Sequence, residues 1–445
     1  MNYINNVKTY FKSIGVVAIM TLLLPMLFAT MALDTVSSFI ASSVCFFIIS
    51  IISAKLILGN SFIKPVAVAY LVLLSLSTIH YLYFVDSNYF AGTGAGSSNF
   101  YHEYLTAIDG VQRLVDWKKT NGIFSIITSD SWQLPHVELW SLISIPFIYL
   151  KVLWLNFAPF NIFCSIMIAL NVYLTYLNTY SYDEGSGRIL WNWLLYFPLF
   201  ILGDTIWRDA AGIALCSVGL VCVKLSKNFI SLGVSLVSAC ILCYLQRTLY
   251  PALLIGSFAI ALLNESKSSG KKILGIVTSI AIMFAFSSFY NSTTEDSYHD
   301  AYINSSSFIM LPIKIVFGLI GPFPWSGFLT YKINPAFSYE LPQYILGTFQ
   351  FGYLISIVLL FKQFSFKSLD LLTLFGFCLM MSGFVTSQMH ISYIAEGLIF
   401  TLPWYFEQIG TLYRRYFRIS LLILVGLNIL ILATGHLGLG SLLWK

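Results

Sequence analysis

The sequence predicts an all-α, polytopic integral membrane protein, a bundle of about 13 membrane-spanning helices with two shorter apolar pieces. Two observations support this fold class. The chain of 445 residues is 58% hydrophobic and only 10% charged, with a mean hydropathy of +0.81. Apolar runs of about 20 residues, long enough to cross a bilayer, recur from one end of the chain to the other. Residues 1–445 are therefore predicted to form a single transmembrane domain in a lipid bilayer.

The predicted spans have short connections, except where two longer polar stretches intervene. The spans are 14–33, 36–58, 65–85, 138–156, 159–180, 205–224, 228–246, 248–264, 272–290, 343–361, 369–387, 392–408 and 418–437. The shorter apolar pieces, 189–203 and 308–320, are predicted to be re-entrant or interfacial. The polar stretches 86–137 and 291–342 are predicted to be loops on one membrane face. The first should contain an amphipathic helix, because apolar residues recur at three- and four-residue steps from Tyr101 to Val115.

Basic residues are distributed unevenly across this topology. Fifteen of the 24 Lys and Arg residues fall on the side of the N-terminus. The positive-inside rule identifies that side as cytoplasmic, so both large loops are predicted to face the periplasm. The net charge of +5 comes from separated clusters and not from one basic face. This pattern argues against nucleic acid as a partner.

Cysteine usage and the absence of known nucleotide and metal motifs argue against several classes of chemistry. All seven cysteines lie in apolar runs without metal-like CxxC spacing, which predicts small buried side chains, not disulfides or ligands. The chain has no Walker A loop, GxGxxG, HExxH or nucleophile elbow. ATP-driven transport, dinucleotide chemistry and the common hydrolase schemes therefore have no support. We predict neither a cofactor nor a metal.

Three charges within six residues, in the stretch 204–209, directly precede an apolar run. A charged side chain near the hydrocarbon core costs about 2.5–3.5 kcal/mol, so it usually faces the bundle interior or a wet cavity. Arg208 is therefore the first candidate functional residue. The alternative is an internal pair with Asp204 or Asp209 that serves only structure. The sequence leaves both interpretations open.

Arg208 and Arg247 each lie near the outer end of an apolar run. A lipid-linked oligosaccharide presents its pyrophosphate at the membrane surface and would meet the protein there. A guanidinium group matches phosphate oxygens bidentately, so both are candidate pyrophosphate-binding residues. Eight of the ten tryptophans fall on the same predicted face. Trp132, Trp207 and Trp325 are the candidates for stacking on sugar rings, and an interfacial aromatic belt is the alternative explanation.

Transfer of a sugar onto an acceptor hydroxyl also needs a base for the proton. The candidate catalytic residues are Asp86, Glu103 with its neighbour His102, His390, and Glu396. His390 and Glu396 are six residues apart and lie on different faces of an ideal helix. The sequence does not choose among these groups.

The order of several motifs resembles that of bacterial O-antigen polymerases of the Wzy type. The matching residues are Tyr196-Phe197-Pro198, the run Gly203-Asp204-Thr205-Ile206-Trp207-Arg208-Asp209-Ala210-Ala211, Gln246-Arg247-Thr248, and Pro322-Phe323-Pro324-Trp325. The resemblance implies a C-type glycosyltransferase of the bacterial inner membrane. Such an enzyme joins undecaprenyl-pyrophosphate-linked repeat units at the periplasmic face, and a chain-length regulator protein is a further implied partner. By this resemblance, Arg208 and Arg247 would engage the pyrophosphate.

Two other classes of function compete with this interpretation. The large outer loop 86–137 comes earlier in the chain than in many polymerases, which keeps open a C-type transferase that adds one sugar from a polyprenyl-phosphate donor. A flippase or secondary transporter would also be helical and aromatic. Transporters typically have inverted repeats and broken helices near the midplane, whereas the charges here gather at one face.

Overall fold

A computed structural model describes residues 4–29, 34–84, 157–179, 209–246, 250–264, 369–385 and 391–409, with 419, 422, 423 and 426 as isolated positions. Within these ranges the regular secondary structure is helical. The elements are α1 (Val7–Ala29), α2 (Thr35–Ile57), a short 3-10 helix (Asn60–Phe62), α3 (Ile63–Phe84), α4 (Phe157–Thr179), α5 (Asp209–Leu225), α6 (Phe229–Gln246), α7 (Tyr250–Asn264), α8 (Leu371–Val385) and α9 (Ile391–Ile409).

In the described ranges, these α-helices coincide with predicted spans. From α2 to α9, every helix begins and ends within four residues of its prediction. Helix α1 instead begins at Val7, seven residues earlier than predicted, because its polar first turns with Lys8 and Lys12 continue beyond the apolar run. The other predicted spans, both short apolar pieces and both large loops lie outside the described residues, except for isolated positions within 418–437.

Among the described helices, five are long and apolar enough to cross a membrane: α1, α2, α3, α4 and α6. Several of them, α1, α2 and α6 among them, present apolar side chains outward. On α6, Ile230, Val234, Val237 and Ile241 follow one face and are 56–78% exposed. A continuous apolar surface of this kind is unfavourable in water and suits contact with lipid. The described helices are therefore those of a helical membrane protein.

Local sequence explains where several helices begin. Pro65, Pro159 and Pro251 each lie within the first three residues of a helix, where the missing N–H breaks no helical hydrogen bond. Helix α2 ends before Gly59, whose φ of 99° is a conformation that glycine adopts without strain. The short 3-10 helix then leads directly into α3.

Asp34 caps the start of α2. Its carboxylate accepts a hydrogen bond from the Ser37 N–H at 2.7 Å, and Ser37 Oγ accepts one from the Asp34 N–H at 2.9 Å. The backbone hydrogen bond from Ser37 is the main reason that the pKa of Asp34 is lowered. Because the folded-state pKa is lowered, the cap stabilises the fold above the unfolded-state pKa. That stabilisation is lost as the pH falls through the folded-state pKa.

The described helices belong to two compact units, with the boundary between Pro251 and Ala252. In the first unit, α4 is the central helix, since its apolar stretch of 18 residues is completely buried. Helices α2, α3 and α5 pack around α4, α1 packs on α2, and α6 packs on α5. In the second unit α8 packs along α9, and Ser257 of α7 donates a hydrogen bond to Cys378 Sγ of α8 at 3.5 Å.

The direction of α4 differs from the prediction. The Asn178 side chain, near the end of α4, donates a hydrogen bond to the Ile4 carbonyl at 3.2 Å, just before α1 begins. The Tyr173 ring contacts the Phe62 ring, between α2 and α3, with centroids 5.6 Å apart. Helix α4 is therefore antiparallel to α1 and parallel to α2, whereas the predicted topology gave it the direction of α1. That part of the predicted topology is wrong.

Helix α4 ends on the side where α1 begins. The predicted topology places Lys224 and Lys227, which follow α5, on that same side. Segment 180–208, which joins α4 to α5 and includes the apolar piece 189–203, lies outside the described residues.

A reporter fusion after Gly185 tests this change of topology. We expect the reporter to lie on the same side of the membrane as the N-terminus, because Gly185 follows the end of α4. A fusion after Ser97 serves as the control and should lie on the opposite side, since α3 ends there. Topology reporters active on only one side make the comparison. Finding both fusions on the same side would contradict the direction assigned to α4.

Candidate functional site

Helices α5 and α6 form a hairpin with small residues at the contact. A Cβ added at Gly219 would lie 2.8 Å from the Cα of Ala239, so the two backbones are close at this point. One turn earlier on α5, the Cys216 thiol approaches the Leu242 carbonyl oxygen with an Sγ–O distance of 3.9 Å. Small residues permit this approach of two helices without a large side chain between them. The contacts establish an antiparallel register.

The connection at one end of the hairpin reinforces the register. The Ser226 hydroxyl donates to the Cys222 carbonyl at 2.8 Å, and it shares a hydrogen bond with the Ser235 hydroxyl at 2.8 Å. Asn228 caps α6 by accepting a hydrogen bond from the Ser231 N–H at 2.7 Å. Since both helices are tied at this turn, neither can slide along the other without breaking these bonds.

At the opposite end of the hairpin, Gly212 of α5 faces Gln246, the last residue of α6. A Cβ at Gly212 would overlap the Gln246 side chain, so the amide occupies the space that this glycine leaves open. Gln246 is only 1% exposed. The start of α5 and the end of α6 therefore lie side by side, and Gln246 fills the contact between them.

The predicted pyrophosphate-binding residues adjoin these two helix ends in the sequence. Trp207 and Arg208 directly precede α5, and Arg247 directly follows α6. All three lie outside the described residues, as do the candidate stacking residues Trp132 and Trp325. Their roles stay predictions, together with the alternative in which Arg208 pairs with a neighbouring aspartate.

Among the candidate bases, Asp86, Glu103 and His390 also fall outside the described residues, and Glu396 falls inside them. Glu396 lies on α9 and is completely buried. A buried carboxyl group is costly unless it is neutral or well partnered, and such groups in spans usually have a functional or structural reason. Complete burial favours a structural contribution from Glu396. Its role as a base stays a prediction.

Gly397, the residue after Glu396, lies at a close crossing of α8 and α9. A Cβ at Gly376 would lie 2.6 Å from the Gly397 carbonyl oxygen, and a Cβ at Gly397 would overlap the Gly376 carbonyl. Near this crossing, the Phe375 and Phe400 rings meet edge to face with centroids 5.5 Å apart. The backbones of the two helices are therefore in close contact at the residue that follows Glu396.

Three buried polar side chains, linked by hydrogen bonds, join three helices of the first unit. Tyr10 of α1 donates a hydrogen bond to Asn171 Oδ1 at 2.8 Å, and Asn171 Nδ2 donates to Ser217 Oγ of α5 at 2.9 Å. All three residues are at most 1% exposed. The trio ties α5 to the central helix α4 and, through it, to α1.

The seven cysteines are free thiols, as predicted, and five of them are buried. Within the described ranges, no cluster of His, Cys, Asp or Glu is suited to hold a metal ion. The contacts that the sequence interpretation missed are the Gly212–Gln246 contact and the Asn171 trio. Glycines seven residues apart in an apolar run, Gly212 and Gly219, were the available signal for a close helix contact.

Comparison with known proteins gives no family for this chain. No family model matches the sequence, and no curated protein or solved structure matches it.

Proposed function

We propose that this chain is a polymerase that joins undecaprenyl-pyrophosphate-linked oligosaccharide repeat units at the periplasmic face of a bacterial inner membrane. The supporting structural observation is the contact between Gly212 and Gln246, which holds the start of α5 beside the end of α6. Arg208 directly precedes the first of these helices and Arg247 directly follows the second. In the sequence, the two arginines of the motif resemblance therefore directly adjoin neighbouring helix ends.

The chemistry of the arginine pair suits a pyrophosphate anchored in lipid. Each guanidinium group offers several donors in a rigid fork and stays charged at all relevant pH values. In a poorly hydrated site, such charge-assisted hydrogen bonds are stronger than they are in water. The first turn of α5 also has unpaired backbone N–H groups and the positive end of the helix dipole, which favour an anion.

The proposed reaction is one glycosyl transfer for each repeat unit. An acceptor hydroxyl attacks the anomeric carbon of the donor glycan, and the bond from that carbon to the pyrophosphate oxygen breaks. The hydroxyl proton passes to a base, for which Asp86, Glu103, His390 and Glu396 are the candidates. Arg208 and Arg247 stabilise the negative charge that develops on the departing undecaprenyl pyrophosphate.

The surroundings of the reaction follow from the substrate. Trp132, Trp207 and Trp325 are proposed to stack on sugar rings and to exclude water from the anomeric carbon. The undecaprenyl chain stays in the bilayer, so an apolar helical bundle allows the pyrophosphate to reach the site from the lipid. A chain-length regulator is the proposed protein partner. We propose no metal and no cofactor for the transfer.

Replacement of Arg247 by lysine tests the arginine pair. Lysine keeps the positive charge but loses the bidentate fork, so we expect polymerisation to fall by about 100-fold, the magnitude typical of losing one transition-state donor. The measurement is the length distribution of surface polysaccharide on a gel, with the membrane content of the protein measured in parallel.

Lys227→Ala is the matched control for Arg247→Lys. Lys227 lies exposed in the connection at the opposite end of the same hairpin, so its removal changes the charge of the hairpin without touching the proposed site. We expect Lys227→Ala to retain full activity. Full activity in Arg247→Lys would reduce Arg247 to an interfacial charge and count against the proposed site.

A further inference from the structure

We propose that four lysines at one end of the first unit bind the headgroups of anionic phospholipids. The four residues, called here the lysine cluster, are Lys8, Lys12, Lys55 and Lys64, and the side chains of all four are exposed. Lys8 and Lys12 lie in the first two turns of α1, Lys55 in the last turn of α2, and Lys64 in the first turn of α3. None of the four belongs to the proposed pyrophosphate site.

Contacts between the helices bring the lysine cluster to one end of the unit. The Ser13 hydroxyl of α1 donates a hydrogen bond to the Leu56 carbonyl of α2 at 3.5 Å, and each of these residues is next to a cluster lysine in the sequence. Lys64 follows α2 closely, across the short 3-10 helix. Within the described residues of α1 to α4, the acidic side chain is Asp34, at the start of α2 and about 30 Å along that helix from Lys55. The described part of this end is therefore positively charged.

The lysines continue apolar surfaces that face away from the bundle. On each of α1, α2 and α3, exposed apolar side chains lie four, seven or eleven residues from a lysine, which places them on the same helical face. These side chains are Val16, Ile19 and Leu23 with Lys12, Val44 and Ile48 with Lys55, and Leu71 with Lys64. A phospholipid whose acyl chains contact these surfaces would bring its phosphate to the level of the lysines. The combination suits a lipid better than a soluble anion.

Stabilisation of the helices themselves does not explain two of the four lysines. Lys8 and Lys64 are each the second residue of a helix, where the positive end of the helix dipole disfavours a cation. An anionic headgroup at this end offsets that repulsion and attracts all four charges. Each lysine near an anionic membrane surface strengthens binding by up to about fivefold, whereas a zwitterionic headgroup carries no net charge to attract it.

Displacement of a fluorescently labelled phosphatidylglycerol from the full-length protein in detergent micelles tests the proposal. The competitors are unlabelled phosphatidylglycerol and phosphatidylcholine with the same acyl chains. We expect phosphatidylglycerol to displace the label at a concentration about 100-fold lower than phosphatidylcholine does in about 0.1 M salt. The ratio should fall steeply in about 1 M salt, where charges are screened over about 3 Å instead of about 10 Å. This comparison needs no substitution, so it does not depend on the folding of a variant.

Substitutions then assign the preference to the lysine cluster. Lys8→Gln combined with Lys12→Gln should reduce the ratio by about tenfold, whereas Lys8→Arg combined with Lys12→Arg keeps both charges and should retain it. Lys118→Gln combined with Lys119→Gln is the matched control, because it removes the same net charge from the stretch 86–137. We expect that control to leave the ratio unchanged.

Three results would overturn the proposal. The first is equal displacement by the two lipids in the wild type, or a ratio that salt does not change. The second is a reduction in the Lys118 and Lys119 control as large as that in the Lys8 and Lys12 variant, since net charge alone would then be responsible. The third is displacement by glycerol phosphate at the concentrations at which phosphatidylglycerol acts, because the ligand would then be a soluble anion and not a lipid.

Discussion

Cells whose only copy carries Arg208→Ala are expected to produce lipid A core with a single repeat unit, while the protein accumulates normally. A residue that binds pyrophosphate can be removed without unpacking the bundle, since its contacts are with substrate. Loss of one such group should reduce transfer by about 100–1,000-fold. The measurements are the polysaccharide ladder on a gel and the abundance of the protein in isolated membranes.

The alternative role of Arg208 predicts a different pair of results. If Arg208 neutralises Asp204 or Asp209 inside the bundle, its truncation leaves a carboxylate unpaired, which costs about 3–5 kcal/mol. The protein should then disappear from the membrane. Arg208→Ala combined with Asp204→Asn and Asp209→Asn should restore both its abundance and the ladder. Such a rescue would contradict the binding role, whereas abundant but inactive protein in the single variant would support it.

The largest effect on stability is expected for Asn171→Leu. This substitution removes the buried amide between Tyr10 and Ser217, and it leaves the Tyr10 hydroxyl without its partner at 2.8 Å. Ser217 Oγ keeps its bond to the Ala214 carbonyl, so its loss is smaller. Interhelical hydrogen bonds and stranded polar groups of this kind contribute about 2–4 kcal/mol together. The unfolding midpoint in detergent, followed by size-exclusion chromatography after heating, measures the loss.

Two further variants determine whether that loss comes from the polar trio. Asn178→Ala, near the end of the same helix, removes hydrogen bonds from a half-buried side chain and should cost less. Tyr10→Phe combined with Asn171→Leu should recover part of the stability, because no hydroxyl is then stranded. An unchanged midpoint in Asn171→Leu would show that the trio contributes little.

The positions of the helices were largely predictable because the signal for a span is local. An apolar run of sufficient length, bounded by Asp34, by a proline in the first turn or by Gly59, gives both the existence and the limits of a helix. The direction of α4 was not predictable in the same way. It follows from contacts between residues far apart in sequence, such as Asn178 with Ile4, and no local pattern encodes them.

The environment of the candidate site was predictable only in part. Gly212 and Gly219 indicate that one face of α5 meets another helix closely, but their spacing does not identify α6 as the partner. Asn171 in an apolar run similarly indicates a buried polar contact without naming Tyr10 or Ser217. The charge of Arg208 in its apolar context was the strongest local signal for function. Its role depends on groups that come together only in three dimensions.

The length of the surface polysaccharide in a strain that lacks this protein tests the proposed polymerase most directly. Lipopolysaccharide from the deletion strain should migrate as lipid A core with at most one repeat unit, and the wild-type copy should restore the full ladder. A single-sugar transferase would instead alter the composition of every repeat unit, and a flippase would leave lipid A core with no repeat unit. A full ladder of unchanged length in the deletion strain would contradict the proposal.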